Sequence, residues 1–149
     1  MTQFSMSVKS FSYPLAQLSY DEEINVLFFK VKQEIEVDVK EILDMIDYAK
    51  EVMGDKRHYC VIDFGANVMS TTEAREVYAS SGYIQKNRIA DAFLVKSLAV
   101  RLVANFFIRV TKPKVKTRLF TDESLALNWL LQQRDLQNPD SEIKKPVRI

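Results

Sequence analysis

The sequence predicts an α/β domain, a mixed sheet of about five strands covered by helices, with elements in the order ββαβαβαβα. Three observations predict it. Short apolar runs of strand length, such as Tyr59-Cys60-Val61-Ile62-Asp63-Phe64-Gly65, alternate with longer stretches whose apolar residues recur at helical spacing. Several of the runs are apolar at consecutive positions, the mark of strands buried on both faces. Ser, Thr or Asp stands where each helical stretch begins.

In chain order, residues 1–13 read as a loose arm. Leu15–Tyr20 and Ile24–Val31 are β-prone runs parted by Asp21-Glu22-Glu23, which predicts a hairpin. Ile24 to Phe29 is too apolar for a strand with one wet face and belongs inside the sheet. Asp38 is a good N-cap and Glu41 follows at capping-box spacing. Val39, Ile42, Leu43, Ile46, Ala49 and Met53 then form one helix face, with Asp44, Asp47 and Glu51 on the other, and Gly54 is the stop. The central strand, 59–65, leads to a helix over 70–82 and a shorter helical piece over 83–88. A second buried strand follows over 89–96. Ser97 caps a helix over 98–110, and Pro113 lies beyond its end. A short strand over 117–120 precedes a last helix capped by Thr121 or Asp122, with Leu125, Trp129 and Leu130 on one face. The domain is expected over 14–134, and the polar tail over 135–149 is expected to be flexible.

The 149 residues suit one domain, 47% of them apolar and 28% charged, which is ordinary for a soluble globular protein. One cysteine, Cys60, excludes an internal disulfide and fits a reducing compartment. No signal-peptide pattern and no apolar stretch of the roughly 20 residues needed to span a bilayer are seen, so a cytoplasmic protein is expected. The formal charge of +1 hides a polarity. Asp21 to Asp55 holds eleven acids against four lysines, whereas Ala92 to Thr121 holds seven bases and no acid. The two regions neighbour each other in the fold or in an assembly, or the basic one faces an anion. Near-neutrality overall argues against nucleic acid.

The sequence offers one cluster of candidate chemistry. Ser70, Thr71 and Thr72 open a helix, where free N–H groups and the helix dipole favour a cap, an anion or a phosphoryl group. Ser70 and Glu73 have capping-box spacing. Arg75 lies one turn on, and Asp63 ends the central strand, the side of an α/β sheet where ligands sit. Gly65 permits the turn. His58 and Cys60 share a strand face, but with no further acid or histidine at a recognisable spacing they make neither a nucleophile pair nor a metal site. Phosphate-binding glycine motifs are absent, and no cofactor is expected. On the helix over 98–110, Arg101, Asn105 and Arg109 form a narrow polar stripe and nearly everything else is apolar. Such a helix packs on the sheet and still has apolar surface for a neighbouring helix, a partner chain or an apolar ligand. Phe106 belongs to that surface.

The order of elements, with Val61-Ile62-Asp63 leading to Ser70-Thr71-Thr72-Glu73-Ala74-Arg75, resembles the SpoIIAA-like, STAS-type family. Ala104-Asn105-Phe106-Phe107, Lys112-Pro113 and Arg118-Leu119-Phe120-Thr121-Asp122-Glu123 are similar to small bacterial members of it. The resemblance covers about residues 15 to 133. It implies a SpoIIAA-like fold and a non-enzymatic regulatory module acting through protein–protein recognition. The switch in that family is a phosphorylated serine after the central strand, and Ser70, Thr71 and Thr72 are the residues here that match it. The family's serine follows its Asp closely, whereas Asp63 precedes Ser70 by seven residues. The alternative is a carrier or sensor of a small apolar or phosphate-bearing ligand, lipid- or nucleotide-like. A homodimer through Arg101, Asn105, Phe106 and Arg109 is the expected assembly.

Overall fold

A computed structural model describes residues 7–137. Six strands form one sheet in the order β1-β2-β3-β5-β7-β8. β1 (Val8–Ser12), β2 (Ala16–Asp21) and β3 (Val26–Val31) are an antiparallel meander. β5 (His58–Gly65), β7 (Arg88–Val95) and β8 (Lys116–Phe120) continue from β3 in parallel. Two three-residue strands, β4 (Ile35–Val37) and β6 (Val68–Ser70), pair in parallel apart from the main sheet. The expected mixed α/β sheet is therefore present, with one more strand than the five expected and a small second sheet.

The additional strand is β1, built from residues expected in the arm. It pairs along its whole length with β2, yet all five of its residues are exposed. With no buried face there is no apolar alternation to read, and backbone pairing alone defines the strand.

The crossovers carry the helices. α1 (Val39–Met53) begins on Asp38, whose side chain and that of Glu41 complete the expected capping box, and Gly54 ends it at a φ of 58°. α2 (Thr72–Ser80) and α3 (Gly82–Asn87) are separate helices parted at Ser81, which caps the second. α4 (Leu98–Phe106) starts on the expected Ser97 cap and passes into a π-helical turn, Phe107–Thr111. That turn ends at Lys112 in the left-handed region. α5 (Glu123–Gln137) begins beside Asp122, whose carboxylate accepts from the Ser124 and Leu125 amides. The helix extends past Arg134, where the tail was expected to begin, and the remainder of that tail lies outside the described residues.

The two faces of the sheet are covered unequally. Leu18, Leu27, Phe29, Cys60, Ile62 and Phe93 lie under α1, α2 and α4. The opposite face packs Val26, Tyr59, Val61, Ala92 and Leu94 against Ala126, Trp129 and Leu130 of α5. Leu125, expected beside Trp129 and Leu130, is exposed, and Ala126 takes its place. Each fully buried Leu or Phe contributes about 1.5–3 kcal/mol, so the larger cluster holds most of the stability.

Candidate functional site

β5 leaves the sheet through a loop whose amides are almost all taken. The Asp63 carboxylate accepts from Gly65 N at 2.9 Å. Gln33 grips the next residues: its Oε1 accepts from Ala66 N and Asn67 N, and its Nε2 donates to the carbonyls of Val31 and Phe64. Gly65 sits at a φ of 62° and a Cβ there would lie 2.6 Å from the Gln33 amide, so another residue would be strained and would displace the Gln33 side chain from these bonds. The Asp63 side chain shares the α5 face of the sheet with Val61, beside Lys30 and Leu94.

β4 and β6 bring the starts of α1 and α2 together. Thr71, not Ser70, is the N-cap of α2: its Oγ1 accepts from Ala74 N at 3.1 Å and donates to Asp38, the cap of α1, at 2.9 Å. Ser70 is the last residue of β6, so the expected Ser70–Glu73 box does not form. Arg75 folds back over this start. Its Nη1 donates to the Ser70 carbonyl at 2.7 Å and to Ser70 Oγ at 2.8 Å, and its Nη2 donates to Thr72 Oγ1 at 3.1 Å. Ser70, Thr72 and Arg75 are thus one hydrogen-bonded group, with the Thr71 hydroxyl beside it committed to Asp38 and the Ala74 amide. A phosphoryl group on Ser70 or Thr72 would meet a guanidinium already in place. Asp63 is not part of this group, because it lies on the other side of the sheet.

Behind Ser70 and Arg75, a cavity of about 110 Å³ lies between the sheet and α1, α2 and α4. Its wall is apolar, with Phe29, Ile62, Met45, Phe93, Ala104 and Phe107 among its residues. Four polar side chains also line it: Ser70, Arg75, Tyr78 and Arg88.

Arg88 belongs to a buried polar cluster. It is 3% exposed and its Nη1 lies 2.6 Å from Asp91 Oδ1, the latter fully buried. Tyr78 Oη donates to Asp91 Oδ2 at 2.6 Å and accepts from Arg88 Nη1 at 2.9 Å. Burial holds the Tyr78 hydroxyl well above its ordinary range, so the proton it gives to Asp91 stays on it. Arg88 Nε lies 3.1 Å from His58 Nε2, and His58 Nδ1 lies 2.9 Å from the Lys56 carbonyl. These partners require a neutral ring protonated on Nδ1. Burial and then the Arg88 charge lower the His58 pKa to about 3. Cys60 pairs opposite Asp91 in the sheet, and burial raises its thiol to about 12. A protonated thiol and a neutral imidazole committed to Arg88 do not make a nucleophile and base.

On the outside, α4 turns Val100, Ala104 and Phe107 inward. Leu98, Leu102, Phe106 and Val110, four residues apart, are 67%, 59%, 50% and 59% exposed. Arg101, Asn105 and Arg109 run beside this ridge and are exposed too. None of the seven bases between Ala92 and Thr121 forms an ion pair among the described residues, so the acidic segment does not neutralise them within the fold.

A family model described as a domain of unknown function, DUF7793, matches residues 20–134. The chain belongs to this family. No curated protein matches it. Among solved structures, the DUF7793 domain is similar to an uncharacterised protein of the DUF3478 family with a SpoIIAA-like fold, from Shewanella loihica PV-4. The two share 18% identity with a TM-score of 0.49, over 87% of this chain and 98% of that one.

The DUF7793 domain therefore brings together four of the five binding or switch residues expected from sequence and separates Asp63 from them. The four residues expected at an interface are all exposed, Arg101, Asn105 and Phe106 on α4 and Arg109 on the π-helical turn that continues it. Sequence reasoning missed the Arg88–Asp91 cluster. A signal existed: an Asp within the apolar run Ile89–Val95 has to find a partner if that run is buried, and Arg88 stands three residues before it. Among the described residues no group of three His, Cys, Asp or Glu side chains is placed to hold a metal ion, and no helix is long and apolar enough to cross a membrane.

Proposed function

We propose that this domain is a non-enzymatic, STAS-type regulatory module that recognises a protein partner through α4. The observation that carries this reading is the ridge of Leu98, Leu102, Phe106 and Val110, four large apolar side chains at least half exposed on one helix. Apolar side chains aligned in this way favour removal from water by a partner. The unpaired bases beside the ridge specify an apolar contact surface rimmed by acids. Two copies meeting ridge to ridge would set Arg101 and Arg109 against their counterparts, so a different, acidic partner is favoured over a homodimer. Ser70, Thr72 and Arg75 supply a point at which phosphorylation would alter the neighbouring surface.

A photo-cross-linking residue at position 102, introduced in the native cell, tests this. Adducts with an acidic protein, absent when the cross-linker is moved to position 86, are expected. Adducts only with the chain itself, only with lipid, or none at either position overturn it.

The cavity favours a second reading, a carrier or sensor of a small ligand. Apolar space beneath a helix, with a few polar groups on its wall, is the usual form of a ligand pocket. Gently purified protein should carry a co-purifying small-molecule mass in native mass spectrometry. A clean apo mass that no added compound shifts would remove this reading.

A further inference from the structure

The wall of the cavity holds a cation with unused hydrogen-bonding capacity. Of the three nitrogens of Arg88, Nε is committed to His58, and Nη1 to Asp91 and Tyr78. Nη2 has no partner among the described residues, although Arg88 is only 3% exposed and lines the cavity. Nη2 is therefore not sealed off but open to the cavity space, and an acceptor oxygen placed there would satisfy its two N–H donors.

We infer that the cavity binds a small, mainly apolar molecule carrying one neutral acceptor oxygen, a ketone or ester carbonyl, with that oxygen on Arg88 Nη2. This rests on the carrier reading and gives it a chemical class. The size follows from the volume: a cavity of roughly 150 Å³ holds benzene, so about 110 Å³ suits a ring or short chain of similar or smaller size. Neutrality follows from the cluster. Asp91 already balances the Arg88 charge at 2.6 Å, so a carboxylate set on Nη2 would be a second, uncompensated anion at that end of the cavity. Arg75, the other cation on the wall, is half-buried and directs its Nη1 and Nη2 to Ser70 and Thr72. The acceptor requirement follows from the partners. The Tyr78 hydroxyl spends its one donor on a hydrogen bond to Asp91 and His58 has turned its lone pair to Arg88, leaving Nη2 as the group in this cluster with donors to spare. The apolar remainder of the ligand would lie among Ile62, Phe93, Ala104 and Phe107.

Titration of the whole protein with cyclopentanone, methylcyclopentane and cyclopentanecarboxylate tests the assignment, read by methyl NMR shifts of Met45 and Ala104. Cyclopentanone is expected to bind about ten- to a hundredfold more tightly than the hydrocarbon, the range of one hydrogen bond to a charged donor. Arg88→Met alone would strand Asp91, so the paired variant Arg88→Met/Asp91→Leu, which removes both charges, should abolish the preference while leaving hydrocarbon binding. Ala104→Leu, which fills the cavity, should abolish binding of all three. Equal binding of ketone and hydrocarbon would overturn the role of Arg88 and leave the carrier reading standing. Tightest binding by the carboxylate would overturn the neutral-acceptor assignment. No shifts with any compound, or shifts that persist in Ala104→Leu, would overturn both.

Discussion

At the scale of residues, the interior is governed by a few polar side chains that have no access to water. His58 shows the consequence most directly. Its ring is held neutral by burial and by Arg88, with a folded pKa of about 3 against 6.5 when unfolded. Between these values the unfolded chain binds a proton that the folded one refuses. Stability from this group is therefore fully present above about pH 6.5 and is lost as pH falls towards 3. The slope is about 1.4 kcal/mol per pH unit, so the loss from pH 6 to pH 4 is roughly 2–3 kcal/mol. Urea unfolding across that range should show it, and His58→Gln should remove this component of the pH dependence. An unchanged slope in the variant would place the titration elsewhere. The same cluster marks a limit of sequence reading. His58 and Cys60 were visible as same-face neighbours on a strand, but their partners come from α2 and β7, and strand pairing across thirty residues leaves no local trace. Asp91 alone was legible in principle, as a charge within an apolar run.

At the scale of elements, the junction of α1 and α2 depends on caps that lock to each other. Thr71 both caps α2 and bonds to the cap of α1, so Thr71→Ala should cost about 1–2 kcal/mol. Ser70→Ala should cost less, since Ser70 is no cap, and chemical denaturation of the two variants side by side decides between them. At Gly65 the positive φ and the Gln33 amide leave no room for a methyl group. Gly65→Ala should lower stability by about 1 kcal/mol from the backbone, with more from displacement of Gln33, seen as a fall in Tm. The sequence showed the α1 capping box and the Ser97 cap because both are local patterns of side-chain type. It did not show that β6 would absorb Ser70 and move the α2 cap one residue on. β4 and β6 are three residues each, and their pairing is decided by where the chain returns rather than by their own composition.

At the scale of the whole molecule, charge and apolar surface are distributed unevenly. Acids concentrate in the first half, and the exposed bases gather around α4 and β8. The α4 ridge adds apolar area to the basic region. The double variant Leu102→Glu/Phe106→Glu should bind an apolar fluorescent dye several-fold less than the parent while its unfolding midpoint stays within about 0.5 kcal/mol, because neither side chain is in the core. A large loss of stability instead would mean that the ridge packs against this chain. The order of parallel strands and crossovers was legible from the alternation of buried runs and amphipathic stretches, as was the excess of apolar surface on α4. Which side of that helix faces water was not, since nearly all of its circumference is apolar and only the position of β7 and β8 beneath it selects Val100, Ala104 and Phe107 as the inner set.

The π-helical turn at Phe107–Thr111 gives that ridge its length. A π turn closes on i→i+5 and holds one residue more than an α turn. In an ordinary helix, positions four apart drift steadily around the axis, by about 40° at each step. The wider turn offsets this drift where Phe106 passes to Val110, and both side chains are exposed. A single inserted residue is the simplest origin for such a turn. Chains of this family that differ by one residue between positions 106 and 112 would then present a rotated surface beyond Phe106 on an unchanged scaffold, so partner choice could diverge by insertion or deletion without a change in the core.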